Sequence, residues 1–315
     1  RRAMPWTALD LDPVDGGRVR LRAVVGGATP ARDRPVVVLV HGWSGTAAYF
    51  SPGMRAARDD FPATIAFDLR GHGGSDRPGR GHTVARLAMD LREVLEQAAA
   101  RLSPSGFVLV GASMGCAVVW SLLQLCGARW RVGGGSDATE VSVIGAVLVD
   151  QAPLQNRRPD WELGSLGCYD AASYEALAAA VRRDMSAFAD GNAEACFHDL
   201  SVVDPDVLAM VKSETLACCP EALCELMYDH THQDWRSECR HMTIPALVLA
   251  GRETKIFPID GIKAVAEMIP DSELKIFENC GHWLYLEEPK KFADEVHDFV
   301  TRCDDKQRAA TSEGS

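Results

Sequence analysis

Positive charge is scarce in this chain. Its 33 Lys and Arg residues stand against 44 Asp and Glu, for a formal net charge of −11. That balance excludes a nucleic-acid binder, whose affinity rests on a basic footprint. The doublets Arg157-Arg158 and Arg182-Arg183 are too short to be basic tracts and read as solvated faces. Long apolar runs are also missing. None approaches the ~20 residues of a membrane span, so the sequence predicts a soluble, cytoplasmic protein with no membrane span. The 10 cysteines lack the spacing of a secreted disulfide framework. A chain of 315 residues with 47% hydrophobic content can build its core without such staples, and reduced thiols are expected. There is no internal repeat.

What is present alternates strand and helix patterns. The segments "PVVVLV" (35–40), "ATIAFD" (63–68), "GFVLVG" (106–111) and "VSVIGAVLVD" (141–150) read as buried strands, and "RVRLRAVV" (18–25) has period-two character. Helical patterns fall at about 47–60, at 83–102 and from Met114 to about Leu125. The stretch "GARWRVGGGSDATE" (127–140) reads as a lengthened loop. From 151 to about 242 strand signal nearly vanishes, and Ala, Leu, Met and acidic residues recur at helical spacing. Strands return at "PALVLAG" (245–251) and "ELKIF" (273–277), with a last helix near 289–302. This pattern predicts an α/β core over 1–150 and 243–315, interrupted by a helical cap at 151–242, with a disordered tail at 305–315.

Four motifs sit where such a core places chemistry. Gly111-Ala112-Ser113-Met114-Gly115 fits G-x-S-x-G between a buried strand and a helix, the setting of a nucleophile elbow. His41-Gly42-Trp43 follows another strand. The backbone N–H of Trp43, with that of Met114, would make a two-donor oxyanion hole. His41 reads as structural, and His72 in "DLRGHGGSDRP" (68–78) as a hydrogen-bonded loop histidine. His282 lies on the loop "ENCGHWLYLEEPKKF" (278–292), at the correct sheet edge to act as a base for Ser113. The run Cys219, Cys224, His230, His232, Cys239 and His241 fits no paired zinc spacing. These residues read as core cysteines and polar surface histidines, and no metal is expected.

Together "HGW", "DLRGHGGS", "GASMG" and "CGHWLYLEEP" resemble the α/β-hydrolase fold family, closest to capped, cofactor-free haloperoxidase-like and carboxylesterase members. The resemblance implies an eight-stranded, mostly parallel sheet with a helical cap and no cofactor. It also implies Ser113 as nucleophile, His282 as base, and the Trp43 and Met114 N–H groups as oxyanion donors. Dehalogenases and epoxide hydrolases of this fold carry aspartate at the nucleophile position, so serine argues against both. In most relatives an aspartate lies three residues after the glycine ending the penultimate strand; here that residue is Thr254. Two acids remain, Asp150 and Glu253, and either keeps the chain order Ser…Asp/Glu…His. Asp150 is favoured, because a carboxylate ending a buried strand needs a partner, whereas Glu253 lies in a polar loop. The expected activity is hydrolysis of a small to medium hydrophobic ester, thioester or lactone through an acyl-enzyme. The rivals are a cofactor-free dioxygenase acting on an N-heteroaromatic substrate and a slow-turnover ligand receptor. The oligomeric state is not legible.

Overall fold

The computed structural model describes residues 6–29, 32–135 and 138–313. In chain order its strands are β1 (Thr7–Leu9), β2 (Ala23–Gly26), β3 (Val36–Val40), β4 (Thr64–Phe67), β5 (Phe107–Ala112), β6 (Arg129–Val132), β7 (Thr139–Val149), β8 (Ala246–Gly251) and β9 (Ser272–Phe277). A short turn, α1 (Val14–Gly17), and a short helix, α2 (Ser51–Ala56), precede the long helices α3 (Val84–Leu102) and α4 (Met114–Cys126). Between β7 and β8 come α5 (Ala171–Arg183), α6 (Met185–Cys196), α7 (Pro205–Leu216), α8 (Pro220–His232) and α9 (Arg236–His241). The chain closes with α10 (Ile259–Met268), α11 (Leu284–Glu287) and α12 (Pro289–Glu313).

The strands run side by side as β1-β2-β4-β3-β5-β7-β8-β9, parallel from β4 to β9 and antiparallel at β1 and β2. Apolar runs suit this sheet because helices cover both faces. In β3, Val36, Val38 and Val40 enter the cluster under α3, α4 and α10, while Val37 and Leu39 enter the one under α2 and α12. The chain passes from β3 to β4 on one side and then to β5 on the other. Such a reversal opens a crevice at the carboxyl ends of the two strands, and here those ends are the His41-Gly42-Trp43 turn and Ser113.

The inserted helices form a cap with its own small apolar cluster of Ala178, Val181, Cys218, Leu223 and Cys224. Aspartates start three of them. Asp170 accepts the Ser173 N–H at 2.8 Å, Asp184 accepts from Ser186 and Ala187, and Asp204 accepts from Asp206. Cap and core meet at Trp43, whose Nε1 donates to the Leu223 carbonyl at 2.8 Å. Among the described residues no helix is long and apolar enough to cross a membrane, and all ten cysteines are free thiols.

Four expectations need correction. The 127–140 stretch is not simply a loop: Arg129–Val132 pairs antiparallel with β7, making nine strands instead of eight. Its pleat turns Trp130 and Val132 inward and Arg129 and Arg131 outward; Ser136 and Asp137 lie outside the described residues. The 305–315 tail is helical through Glu313, with Gly314 and Ser315 outside the described residues. Its polar composition belongs to a surface helix tied down by Lys306 to Asp271 (3.0 Å) and Arg308 to Asp304 (3.0 Å). The 18–25 strand pairs as a strand only from Ala23. Upstream, the N–H groups of Arg20 and Arg22 are taken by the side chains of Asp76 and Ser75. The helix expected at 47–60 is shorter, a 3₁₀ turn at Ala47–Phe50 running into α2.

Candidate active site

Ser113 occupies the step from β5 to α4 with φ 52° and ψ −122°, a strained conformation for a residue with a side chain. Both flanking glycines are sterically required. A Cβ on Gly111 would lie 2.6 Å from the Gly115 carbonyl, and one on Gly115 would lie 2.2 Å from the Val40 oxygen. The elbow is held by Ser113 N–H to the Val149 carbonyl (2.8 Å) and Cys116 N–H to the Ser113 carbonyl (2.7 Å). Gly115→Ala is therefore expected to lower the unfolding free energy by roughly 1–3 kcal/mol, the usual range for overpacking. Denaturant unfolding checks this, and a variant as stable as the parent would mean that the contact relaxes freely.

Gly42 lies against the elbow: a Cβ there would come within 2.8 Å of the Ala112 oxygen and 3.0 Å of Ser113 Cβ. This contact sets the Trp43 backbone beside the serine. Met114 heads α4, so its N–H is one that a helix leaves without an intrahelical partner. The turn is fixed from below by His41. Its Nε2 accepts the Leu69 N–H at 2.9 Å, so its Nδ1 carries the proton and donates to the Gly42 carbonyl at 2.8 Å. Burial lowers the pKa of His41 and favours this neutral form. His72 is likewise a buried loop histidine, with Nδ1 3.0 Å from the Arg70 carbonyl and a pKa lowered by burial to about 3.

Asp150 follows the last residue of β7, fully buried and at φ 49°. Three donors converge on its carboxylate. The Gly251 N–H reaches Oδ1 at 3.0 Å, while the Thr254 hydroxyl and His282 Nδ1 reach Oδ2 at 2.7 and 2.6 Å. Glu253 is exposed, and its backbone N–H bonds the Cys280 carbonyl. Of the two acids weighed from the sequence, Asp150 is thus the one beside His282. The His282 loop is braced by Glu287, which accepts the N–H groups of Gly281 (2.7 Å) and His198 (2.8 Å). A Cβ on Gly281 would meet the Cys196 oxygen at 2.6 Å, so the end of α6 sits directly on this loop.

Ser113 and His282 both line a cavity of about 400 Å³. The Ser113 hydroxyl donates to Gln151 Oε1 at 3.5 Å, the outer limit of a hydrogen bond. Among the described residues no hydrogen bond joins it to His282. The cap contributes Leu177, Phe188, Met227 and His230 to the walls, and the core contributes Trp43 and Tyr285. Of the other large cap residues, Trp161 and Trp235 pack into the core cluster, and Tyr228 is 55% exposed.

Nothing in the sequence signals that Gln151, Gln155, Asn192 or His230 reaches the site: Gln151 follows Asp150 beyond the end of β7, and the other three arrive through the packing of the cap. One expectation is overturned here. His230 is not a surface histidine but 2% exposed, because it lies on the face of α8 that carries Met227 and looks into the cavity. His232 and His241 are exposed, and Cys224 and Cys239 are buried. Among the described residues no group of three His, Cys, Asp or Glu side chains is arranged to hold a metal.

Comparison with known proteins agrees with this architecture. The non-heme chloroperoxidase CPO-A1 of Kitasatospora aureofaciens is 26% identical over 279 residues, covering 85% of this chain and 93% of that protein. The AB hydrolase superfamily protein YisY of Bacillus subtilis is 27% identical over 266 residues, covering 84% and 91%. The structure of an esterase from Exiguobacterium antarcticum superposes with a TM-score of 0.76 at 22% identity, over 92% of this chain and 98% of that one. The family model described as "Alpha/beta hydrolase family" matches residues 37–295. With that match across the sheet, the elbow and the histidine loop, the chain belongs to the α/β-hydrolase family, as a capped hydrolase.

Proposed function

We propose that the chain hydrolyses small to medium hydrophobic esters, thioesters or lactones through an acyl-enzyme on Ser113. The observation that carries this reading is the 2.6 Å contact of Asp150 with His282, on a cavity that His282 shares with Ser113. With its Nδ1–H held by Asp150, His282 keeps Nε2 free to accept the Ser113 proton as Oγ attacks the carbonyl carbon. The N–H groups of Trp43 and Met114 stabilise the developing oxyanion. The proton then passes from Nε2 to the leaving oxygen or sulfur. Water, deprotonated in turn by His282, releases the acid and restores the serine. The largely apolar cap wall and the esterase of like fold support the choice of ester.

The test is labelling by a fluorophosphonate together with turnover of p-nitrophenyl esters from acetate to octanoate. Labelling at Ser113 and sustained turnover are expected. A single burst without turnover would favour a receptor, and oxygen uptake with a hydroxyquinolone would favour a dioxygenase. In the same assay Thr254→Val is expected to lower kcat by about tenfold. It removes one hydrogen bond to a charged group, worth ~1.5 kcal/mol, while keeping the side chain's shape. Unchanged kcat would show that the Gly251 N–H alone orients Asp150.

A further inference from the structure

Of the buried polar groups of the cavity that the proposed chemistry leaves unused, one has no partner among the described residues. His230 lies on α8, one turn beyond Met227, and both line the space above Ser113. Its Nδ1 is enclosed, and among the described residues the imidazole has no hydrogen-bond partner. Gln155, on the same wall, directs its Nε2 elsewhere, to the Cys168 carbonyl (3.3 Å) and Met227 Sδ (3.2 Å).

An enclosed polar group without a partner is unfavourable. Leucine would pack here as its neighbours Leu223 and Leu226 do, and has the higher helix propensity. The cap's own folding therefore does not call for an imidazole at this position. Burial alone lowers its pKa to about 4, so the ring is neutral near pH 7 and offers one donor and one acceptor nitrogen. The charged residues lining the cavity, Arg183 and Asp184, are both exposed at its rim. The interior around His230 thus suits an uncharged polar atom and not a carboxylate.

We propose that His230 is a specificity-determining residue, hydrogen-bonding an uncharged oxo or hydroxyl oxygen that the substrate carries away from its scissile carbonyl. This rests on the hydrolase reading only in that it names the class of ester the same cavity takes.

Binding, separated from turnover, tests it. In a Ser113→Ala background, calorimetry compares p-nitrophenyl hexanoate with p-nitrophenyl 5-oxohexanoate, and hexyl acetate with 5-oxohexyl acetate. The pairs place the oxygen on the acyl arm or on the alcohol arm. At least one oxo ester is expected to bind about tenfold more tightly than its methylene partner. His230→Leu should abolish that preference, with a melting midpoint at or above that of the parent, and His230→Gln should recover part of it. Equal binding within both pairs overturns the proposal, as does a preference that survives His230→Leu. A His230→Leu chain that fails to fold also overturns it, by showing a structural need for the imidazole. Turnover is measured separately on the chain with Ser113 intact. A preference for oxo esters without any hydrolysis would sink the hydrolase reading and leave this one standing.

Discussion

Replacing Ser113 with alanine is expected to abolish fluorophosphonate labelling and to lower ester turnover on the order of 10⁶-fold, the scale seen when a serine protease loses its nucleophile. The fold should survive. The elbow is held by backbone bonds, Ser113 N–H to Val149 and Cys116 N–H to Ser113, and by the Gly111–Gly115 contact, none of which uses the hydroxyl. Among the described residues the hydroxyl's one partner is Gln151 at 3.5 Å, too long to contribute much. Alanine also tolerates the positive φ of position 113 no worse than serine does, so the melting midpoint should hardly move. Residual turnover would reflect the oxyanion donors and binding alone. Full labelling of the alanine variant would place the nucleophile elsewhere.

Asp150→Asn is expected to lower kcat by about 10⁴-fold, by analogy with the serine protease triad, whereas Glu253→Gln should retain most activity. The carboxylate takes the Gly251 N–H on one oxygen and both the Thr254 hydroxyl and His282 Nδ1 on the other. An amide that keeps its oxygen toward Gly251 must turn its NH₂ toward His282. Nδ1 then becomes the acceptor, the proton moves to Nε2, and Nε2 can no longer take a proton from Ser113. Glu253 is exposed and its side chain has no hydrogen bond to His282, so losing its charge leaves this arrangement intact. Measured kcat for the two variants decides the matter, and the reverse order would make Glu253 the acid.

Thr254 shows how little separates this chain from the commoner pattern. The position where the family resemblance implies an acid here carries a hydroxyl, and that hydroxyl donates to Asp150, at the end of the neighbouring strand. The sequence could show the missing carboxylate, and that Asp150 ended a buried strand. It could not show that β7 and β8 lie side by side in a register that brings Asp150 to Gly251 and Thr254.

The local signals were short-range and therefore legible. Continuous apolar runs marked β3, β4, β5, β7 and β8, since a strand covered on both faces is apolar throughout. Two glycines around a serine marked the elbow, because a side chain at 111 would run into Gly115 and one at 115 into the Val40 carbonyl. Where composition misled, tertiary partners were the cause. The polar end of α12 is held by Asp271 and by its own Asp304, and the strand in 129–132 exists because β7 extends far enough to pair with it.

By itself, then, the sequence determined the alternation of strand and helix, the helical insertion, and the candidate residues proposed for acyl transfer. Each of these follows from side-chain periodicity or from a residue's own steric and chemical character. Only the tertiary structure decided which carboxylate meets His282, which way the Ser113 hydroxyl points, and that His230 faces the cavity. Those depend on strand register and on the rotation of α8 over the core. Both are set by contacts between residues far apart in the chain, such as Trp43 with Leu223, that no local pattern records.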